Sequence, residues 1–346
     1  MSFDGDDVLK PELRIWGFAF GYFACYAPYS ALTKQLSSGT FPGVASAIDG
    51  FELLPLSTFA SLVGMVAFLT LAGWWRHAGH RTVLGVRVPS PTRWTFLSGL
   101  ATAGIIATTT FAYTFDGLSI VFMMLLMRGG VLVLAPIVDT VSKRAVQVRS
   151  WVALGLSMSA LLVTLVDAKG FAITLIAGLD VAVYLMGYFV RLRFMSKIAK
   201  THEREKSIRY FVEEQMVATP AIVSLLALAA VVGHGESMLA IRRGFLDIWH
   251  SGAVIPVIVV GLLSQGTGVF GGLILLDGRE NGFCVPVNRA SSVLAGALAT
   301  LALWAFAGGK PAPLSEMVGA ALLMAAIVVL AWPKRAEVAP RAAPAP

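Results

Sequence analysis

Residues 118–138 read LSIVFMMLLMRGGVLVLAPIV, an apolar run of helical length broken by one internal charge, Arg128. A bilayer's hydrocarbon core takes about 20 residues of α-helix, so the run predicts a membrane-spanning helix. Arg128 lies roughly ten residues in, where a charge costs about 2.5–3.5 kcal/mol to insert. A guanidinium kept at that depth predicts a polar interior beside the helix.

Nine further windows of the same kind lie at 15–36, 51–74, 95–115, 151–166, 171–190, 210–232, 253–276, 283–306 and 315–332. The composition agrees: 57% of the 346 residues are apolar and 14% charged, against about 25% charged in soluble domains. The fold class read from this is an all-α membrane protein of ten transmembrane helices, with the lipid bilayer as its solvent. A net charge of +7 does not point to nucleic acid, because the basic residues sit in short links with no basic face or recognition motif. Residues 1–14 are polar and acidic, so no cleavable leader is expected and the first window should remain as a span. Cys25 and Cys284 fall inside apolar runs and read as buried thiols, not a disulfide framework.

Lys and Arg set the orientation. With the N-terminus inside, the inside links carry Arg76, Arg81, Arg87, Arg93, Lys143, Arg144, Arg149, the seven basic residues between Arg191 and Arg209, and Arg279. With Lys10, Arg14, Lys334, Arg335 and Arg341 at the ends, that face holds 20 of the 27 basic residues. The outside face holds 5: Lys34, Lys169, Arg242, Arg243 and Lys310. Both termini are therefore expected in the cytoplasm, in a membrane that fits a bacterial inner membrane.

A shift of 161 residues superposes the two halves of the chain without a gap over most of their length. Asp116-Gly117 falls on Asp277-Gly278, Arg128 on Arg289, Glu52 on Glu213, Arg81 on Arg242 and Arg149 on Lys310. Each half holds five spans, an odd number, so the second enters the membrane inverted. The expected organisation is a cytoplasmic segment 1–14, a first five-helix repeat 15–166, a second repeat 171–332, and a disordered tail 333–346. Within the second repeat, 191–209 reads as a basic cytoplasmic linker. Inverted repeats are a recurrent plan of secondary transporters, whose substrate sites lie near the bilayer midplane.

The candidate site follows from polar groups at membrane depth. Arg128 and Arg289 are read as binding an anionic substrate group, because a guanidinium fork matches carboxylate or phosphate. The plainer alternative is that one arginine pairs with Asp180 for packing while the other reaches an interface. Asp180, inside the sixth span, balances an arginine, carries a coupling proton or serves as a structural partner. Tyr22, Tyr26 and Tyr29 fall on one face of the first helix, and Tyr184 and Tyr188 on one face of the sixth. They suit the wall of a site, or simply packing. Gln265 and Asn288 touch substrate or bond across to a neighbouring helix. Gly129-Gly130 and Gly271-Gly272 are read as close helix crossings.

No catalytic residue, cofactor or metal is expected. The five histidines (His77, His80, His202, His234 and His250) lie in links without metal-ligand spacing, and the spans hold no nucleophile–base pair. No phosphate loop is present to support ATP-driven transport. The chain is not read as an enzyme.

Met127-Arg128-Gly129-Gly130, the apolar run to Asp139, Lys143-Arg144 and Trp151 together resemble the drug/metabolite transporter superfamily. The likeness is to its EamA-like and nucleotide-sugar-transporter-like carriers of ten helices. Asn288-Arg289 is similar to the Asn-Lys pair on the ninth helix of nucleotide-sugar carriers, with Arg in place of Lys. The resemblance implies that Arg128 and Arg289 bind phosphate. Many exporters of the family keep a Glu at the ends of the fourth and ninth helices, where this chain has Asp139 and Thr300. The expected function is alternating-access transport or antiport of a small organic anion, phosphorylated and nucleotide-like metabolites included. Two alternatives stay open: proton-coupled export of a neutral or amphipathic metabolite, and a non-transporting membrane subunit or sensor.

Overall fold

The computed structural model describes residues 11–44, 46–111, 120–164, 175–201, 203–307 and 314–332. Asp116-Gly117, Lys169, His202, Lys310 and the expected tail lie outside these residues, as do Lys10 and the rest of the N-terminal segment before Pro11. Among the described residues the chain forms α1 (Pro11–Ser38), α2 (Gly50–Leu71), α3 (Arg93–Phe111), α4 (Ile120–Val141), α5 (Val148–Thr164) and α6 (Leu175–Phe194). These are followed by α7 (Arg204–Val232), α8 (Gly235–Leu246), α9 (Val254–Leu275), α10 (Asn281–Ala307) and α11 (Leu314–Ala331). A hairpin of β1 (His80–Val83) and β2 (Val86–Pro89) lies between α2 and α3.

Among the described residues, five helices are long and apolar enough to cross a membrane: α2, α6 with its π-helical extension to Ala199, α7, α9 and α10. Parts of α5 and α11 form shorter apolar helices. The distribution of polarity is the reverse of a soluble core. Asp139, Glu213, Glu214, Asn281, Ser98 and Ser150 are fully buried, while Phe20 is 71% and Ile255 74% exposed. Apolar surface turned outward on this scale is surface for lipid. The chain is a helical, multi-pass integral membrane protein.

Helix ends are set by local chemistry. Asp49 caps α2, its carboxylate accepting the Phe51 N–H at 2.7 Å. Gly233 ends α7 with φ +59, the left-handed conformation that glycine adopts without a Cβ clash. Arg242 of α8 then donates to the Ala230 and Val231 carbonyls at 2.7 and 2.8 Å, satisfying acceptors that the end of α7 leaves open. The hairpin closes through Leu84 (φ 48) and Gly85 (φ 80), a turn with both central residues at positive φ.

The basic segment 191–209 is largely helical. α6 continues through Arg191 and Arg193, the π-helical turn runs Met195–Ala199, and α7 begins at Arg204. The reason is pairing. Arg191 bonds Glu214 of α7, Arg193 donates to Ser142 Oγ at 2.9 Å, and Lys200 Nζ donates to the Arg279 carbonyl at 3.0 Å. Charges that look hydrated in the sequence are held by neighbouring helices.

In the packing, α1 lies along α9 and α10, while α6 lies along α3 and α4. α2 packs on α9 and α7 on α3; α2 also meets α7, α4 meets α10, and α5 meets α11. Close crossings need small residues. A Cβ on Gly130 would stand 2.6 Å from Leu185 Cδ2, so glycine lets α4 approach α6.

Candidate functional site

Four helices, α1, α4, α6 and α10, bring the two arginines and the tyrosines together. Arg128 is the ninth residue of α4 and Arg289 the ninth of α10, each about 12 Å along its helix at 1.5 Å per residue. Arg128 Nη2 donates to the Tyr26 hydroxyl of α1 at 3.4 Å. The Arg289 guanidinium lies over the Tyr188 ring of α6, 5.0 Å from its centroid, a cation–π distance. Arg289 Nε is buried and has no hydrogen-bond partner among the described residues. Both arginines lie within electrostatic reach of Tyr22 and Tyr184.

The tyrosines form two short rows. Tyr22 and Tyr26 are nearly parallel with centroids 5.6 Å apart, and Tyr29 continues the row at 5.6 Å from Tyr26. On α6, Tyr184 and Tyr188 stand 5.0 Å apart. A spacing of four residues puts each pair on one helix face. Tyr22, Tyr184 and Tyr188 are buried, whereas Tyr26, Arg128 and Arg289 stay half-buried among them. Gly271 of α9 makes room for this wall: a Cβ there would meet the Tyr22 ring at 2.8 Å and Asn288 Nδ2 at 3.2 Å.

The remaining expected residues separate. Asn288 is buried beside the cluster, its amide 3.5 Å from the Gly271 carbonyl. Gln265 instead faces α2, with Nε2 3.6 Å from Met65 Sδ. Asp180 is buried one turn before Tyr184 and makes no ion pair among the described residues; its Oδ2 has no hydrogen-bond partner. The structure therefore does not show the ion pair between Asp180 and an arginine.

Two polar constellations escaped the sequence reading. In the first, Glu214 takes Arg191 Nε and Nη2 at 2.9 and 3.0 Å, Ser98 Oγ at 2.7 Å and Thr102 Oγ1 at 3.0 Å. Its neighbour Glu213 accepts the Gly79 and Thr92 N–H groups, Thr95 Oγ1 at 2.6 Å and Arg209 Nε at 2.7 Å. Two adjacent acids entering an apolar helix were the available signal. Arg191 follows Tyr188 by one turn, close enough for its charge to act on the ring that holds Arg289.

The second constellation fastens α4 and α5 to the turn before α10. Asp139 Oδ1 accepts the Asn281 N–H at 2.9 Å and Nδ2 at 2.7 Å, and Oδ2 accepts the Gly282 N–H at 2.7 Å. Asn281 Nδ2 also donates to Ser196 Oγ at 2.8 Å. Ser150 Oγ donates to Glu280 at 2.8 Å, and Arg144 donates to the Gly278 and Lys200 carbonyls. A carboxylate at a helix N-terminus meets both the open N–H groups and the helix dipole. Three links meet at this end, around Arg144, Lys200 and Gly278.

No family model matches the chain, and no curated protein matches it. Solved structures do. One, described only as "Crystal structure of protein", aligns with a TM-score of 0.54 at 14% identity, over 91% of this chain and 96% of that one. At that identity the likeness shows the fold alone. It extends over nearly the whole of both chains, so the arrangement of helices is one found in a solved protein.

Proposed function

We propose that the chain is a secondary-active transporter of a small organic anion, with the alternating-access plan of the drug/metabolite transporter superfamily. The observation that carries the reading is the placement of Arg128 and Arg289: two guanidinium groups at membrane depth, both set against tyrosines of helices α1 and α6. Guanidinium at such a depth is costly unless it has a task, and binding carboxylate or phosphate is the task its geometry serves.

The two halves are α1 to α5 and α6, α7, α9, α10, α11, with α8 an insertion. Exchanging them turns the α1 packing on α9 and α10 into the α6 packing on α3 and α4, and turns α2 on α9 into α7 on α3. The pairs α2–α7, α4–α10 and α5–α11 map onto themselves. That regularity supports ten spans in two inverted repeats, with Arg128 and Arg289 as counterparts. We place both termini in the cytoplasm of a bacterial inner membrane, which puts the Asp139–Asn281 fastening at the cytoplasmic end. In alternating access those bonds hold that end shut and must part for release.

Purified protein in proteoliposomes, supplied with labelled inorganic phosphate, nucleotides and carboxylates, tests the reading. Saturable uptake of an anion that falls at least about tenfold in Arg128→Ala and Arg289→Ala is expected, the loss of a charge-assisted contact. Uptake indifferent to both substitutions would remove the assigned roles.

A second reading rests on Asp180, whose buried Oδ2 lacks a partner. An unpaired carboxyl in a span is a proton site for coupled export of a neutral or amphipathic metabolite. Transport driven by a pH gradient and uncoupled in Asp180→Asn would favour it; transport unaffected by the gradient would reject it.

A further inference from the structure

We propose that the transported anion has two negatively charged groups joined by a short apolar or aromatic spacer, as in an α,ω-dicarboxylate, each group taken by one arginine. This rests on the carrier reading above and goes further by fixing the shape of the substrate.

The site is built twice. Arg128 and Arg289 are 161 positions apart and each is the ninth residue of its helix. The tyrosines repeat as well, at an offset of 162: Tyr22 with Tyr184 and Tyr26 with Tyr188. Contact follows the same rule. Arg128 of the first half meets Tyr26 of the first half, and Arg289 of the second meets Tyr188 of the second. Each half therefore supplies one guanidinium held by the second tyrosine of its own pair. The first tyrosines, Tyr22 and Tyr184, are buried one helical turn from the second and lie within electrostatic reach of both arginines.

A ligand with one anionic head must draw both guanidinium groups to one point, against their mutual repulsion and away from the tyrosines that hold them. A ligand with two heads leaves each arginine on its own tyrosine and lays its spacer across Tyr22 and Tyr184. Ring faces and edges make an apolar floor suited to a methylene chain or an aromatic ring. Arg289 Nε, buried with no hydrogen-bond partner among the described residues, is a donor open to a ligand. A carboxylate taking Nε and one Nη together forms the bidentate pair that guanidinium favours.

The test is equilibrium binding to the full chain in nanodiscs. The probes are succinate, glutarate, adipate and terephthalate, the matched monocarboxylates butyrate and benzoate, and the one-headed dianion phenyl phosphate. One dicarboxylate is expected to bind about tenfold or more tighter than its matched monocarboxylate, the increment of a second charge-assisted pair. Arg128→Gln and Arg289→Gln should each erase that advantage, weakening the dicarboxylate about tenfold or more. Arg128→Lys and Arg289→Lys, which keep the charge, should restore part of it and so exclude misfolding as the cause. Phenyl phosphate binding that needs both arginines, with dicarboxylates no better than monocarboxylates, would overturn the two-headed substrate and leave the anion carrier standing. Absence of saturable binding by every anion would overturn both.

Discussion

Replacing Asp139 by alanine removes the acceptor of three hydrogen bonds at the start of α10, two from backbone N–H groups and one from the Asn281 amide. Asp139 and Asn281 are fully buried, so water does not take over readily. Each buried donor left without a partner costs about 1–3 kcal/mol, and the loss of a helix cap is of the same order. A total of about 3–4 kcal/mol is expected after partial relaxation. The cost falls locally, because the same three bonds tie the end of α4 to α10. Cys284 reports on it: the thiol is fully buried in the first turn of α10, its Sγ 3.9 Å from the Asp277 carbonyl oxygen. With Cys25→Ala in the background, the rate at which N-ethylmaleimide labels Cys284 follows the population of the open end when closing is fast. A shift of about 3 kcal/mol raises that rate on the order of a hundredfold. Asp139→Asn keeps one carbonyl acceptor and should raise it about tenfold. A rate within twofold of the parent in Asp139→Ala would show that these bonds do not hold the end closed.

Other consequences follow from named contacts. Glu214→Leu leaves Arg191 buried without its carboxylate, which costs about 3–5 kcal/mol, and Arg191→Met/Glu214→Leu should recover most of it; thermal unfolding in detergent reads both. Gly130→Val drives a side chain into Leu185, 2.6 Å from the added Cβ, for a loss of about 1–3 kcal/mol that Leu185→Ala should partly relieve. That double substitution failing to do better than Gly130→Val would show that the α4–α6 crossing is not the constraint. Leu84, 99% exposed at the hairpin tip, lies on the face assigned to the cytoplasm. In a chain lacking Cys25 and Cys284, Leu84→Cys should react with an impermeant thiol reagent in inside-out vesicles and not in right-side-out ones. The opposite pattern would invert the topology.

Spans were legible because a bilayer imposes a length. The windows at 51–74, 210–232, 253–276 and 283–306 fall on the helices Gly50–Leu71, Arg204–Val232, Val254–Leu275 and Asn281–Phe306, all long and apolar enough to cross. What sequence does not show is which charge meets which. Arg191 looks hydrated until Glu214, 23 positions later, is seen to close on it. The hairpin went unread for a local reason: its turn is Leu84-Gly85, and leucine at positive φ gives none of the Asn-Gly signal by which such turns are recognised. α8 went unread because 12 residues with paired arginines do not make a hydrophobic window.

In the candidate site, the arginines and tyrosines stood out as polar groups inside apolar runs, and α1, α4, α6 and α10 bring them together. Gln265 carried the same sequence signal yet faces Met65 of α2, because helix rotation is decided by neighbours that spacing alone does not specify. The fastening at Asp139 was visible only as an acid near a helix end. Its partners, Asn281 and Gly282, lie more than 140 positions away.

Everything in the carrier account depends on water and anions reaching the guanidinium position of α10. Arg289→Cys, made in a chain without Cys25 and Cys284 and held in nanodiscs, measures this directly with a negatively charged methanethiosulfonate reagent. The account predicts that the reagent labels the cysteine and that a bound anion slows the labelling. Reaction with an uncharged lipophilic maleimide alone, unchanged by every anion, would mean that the position faces hydrocarbon or closed packing.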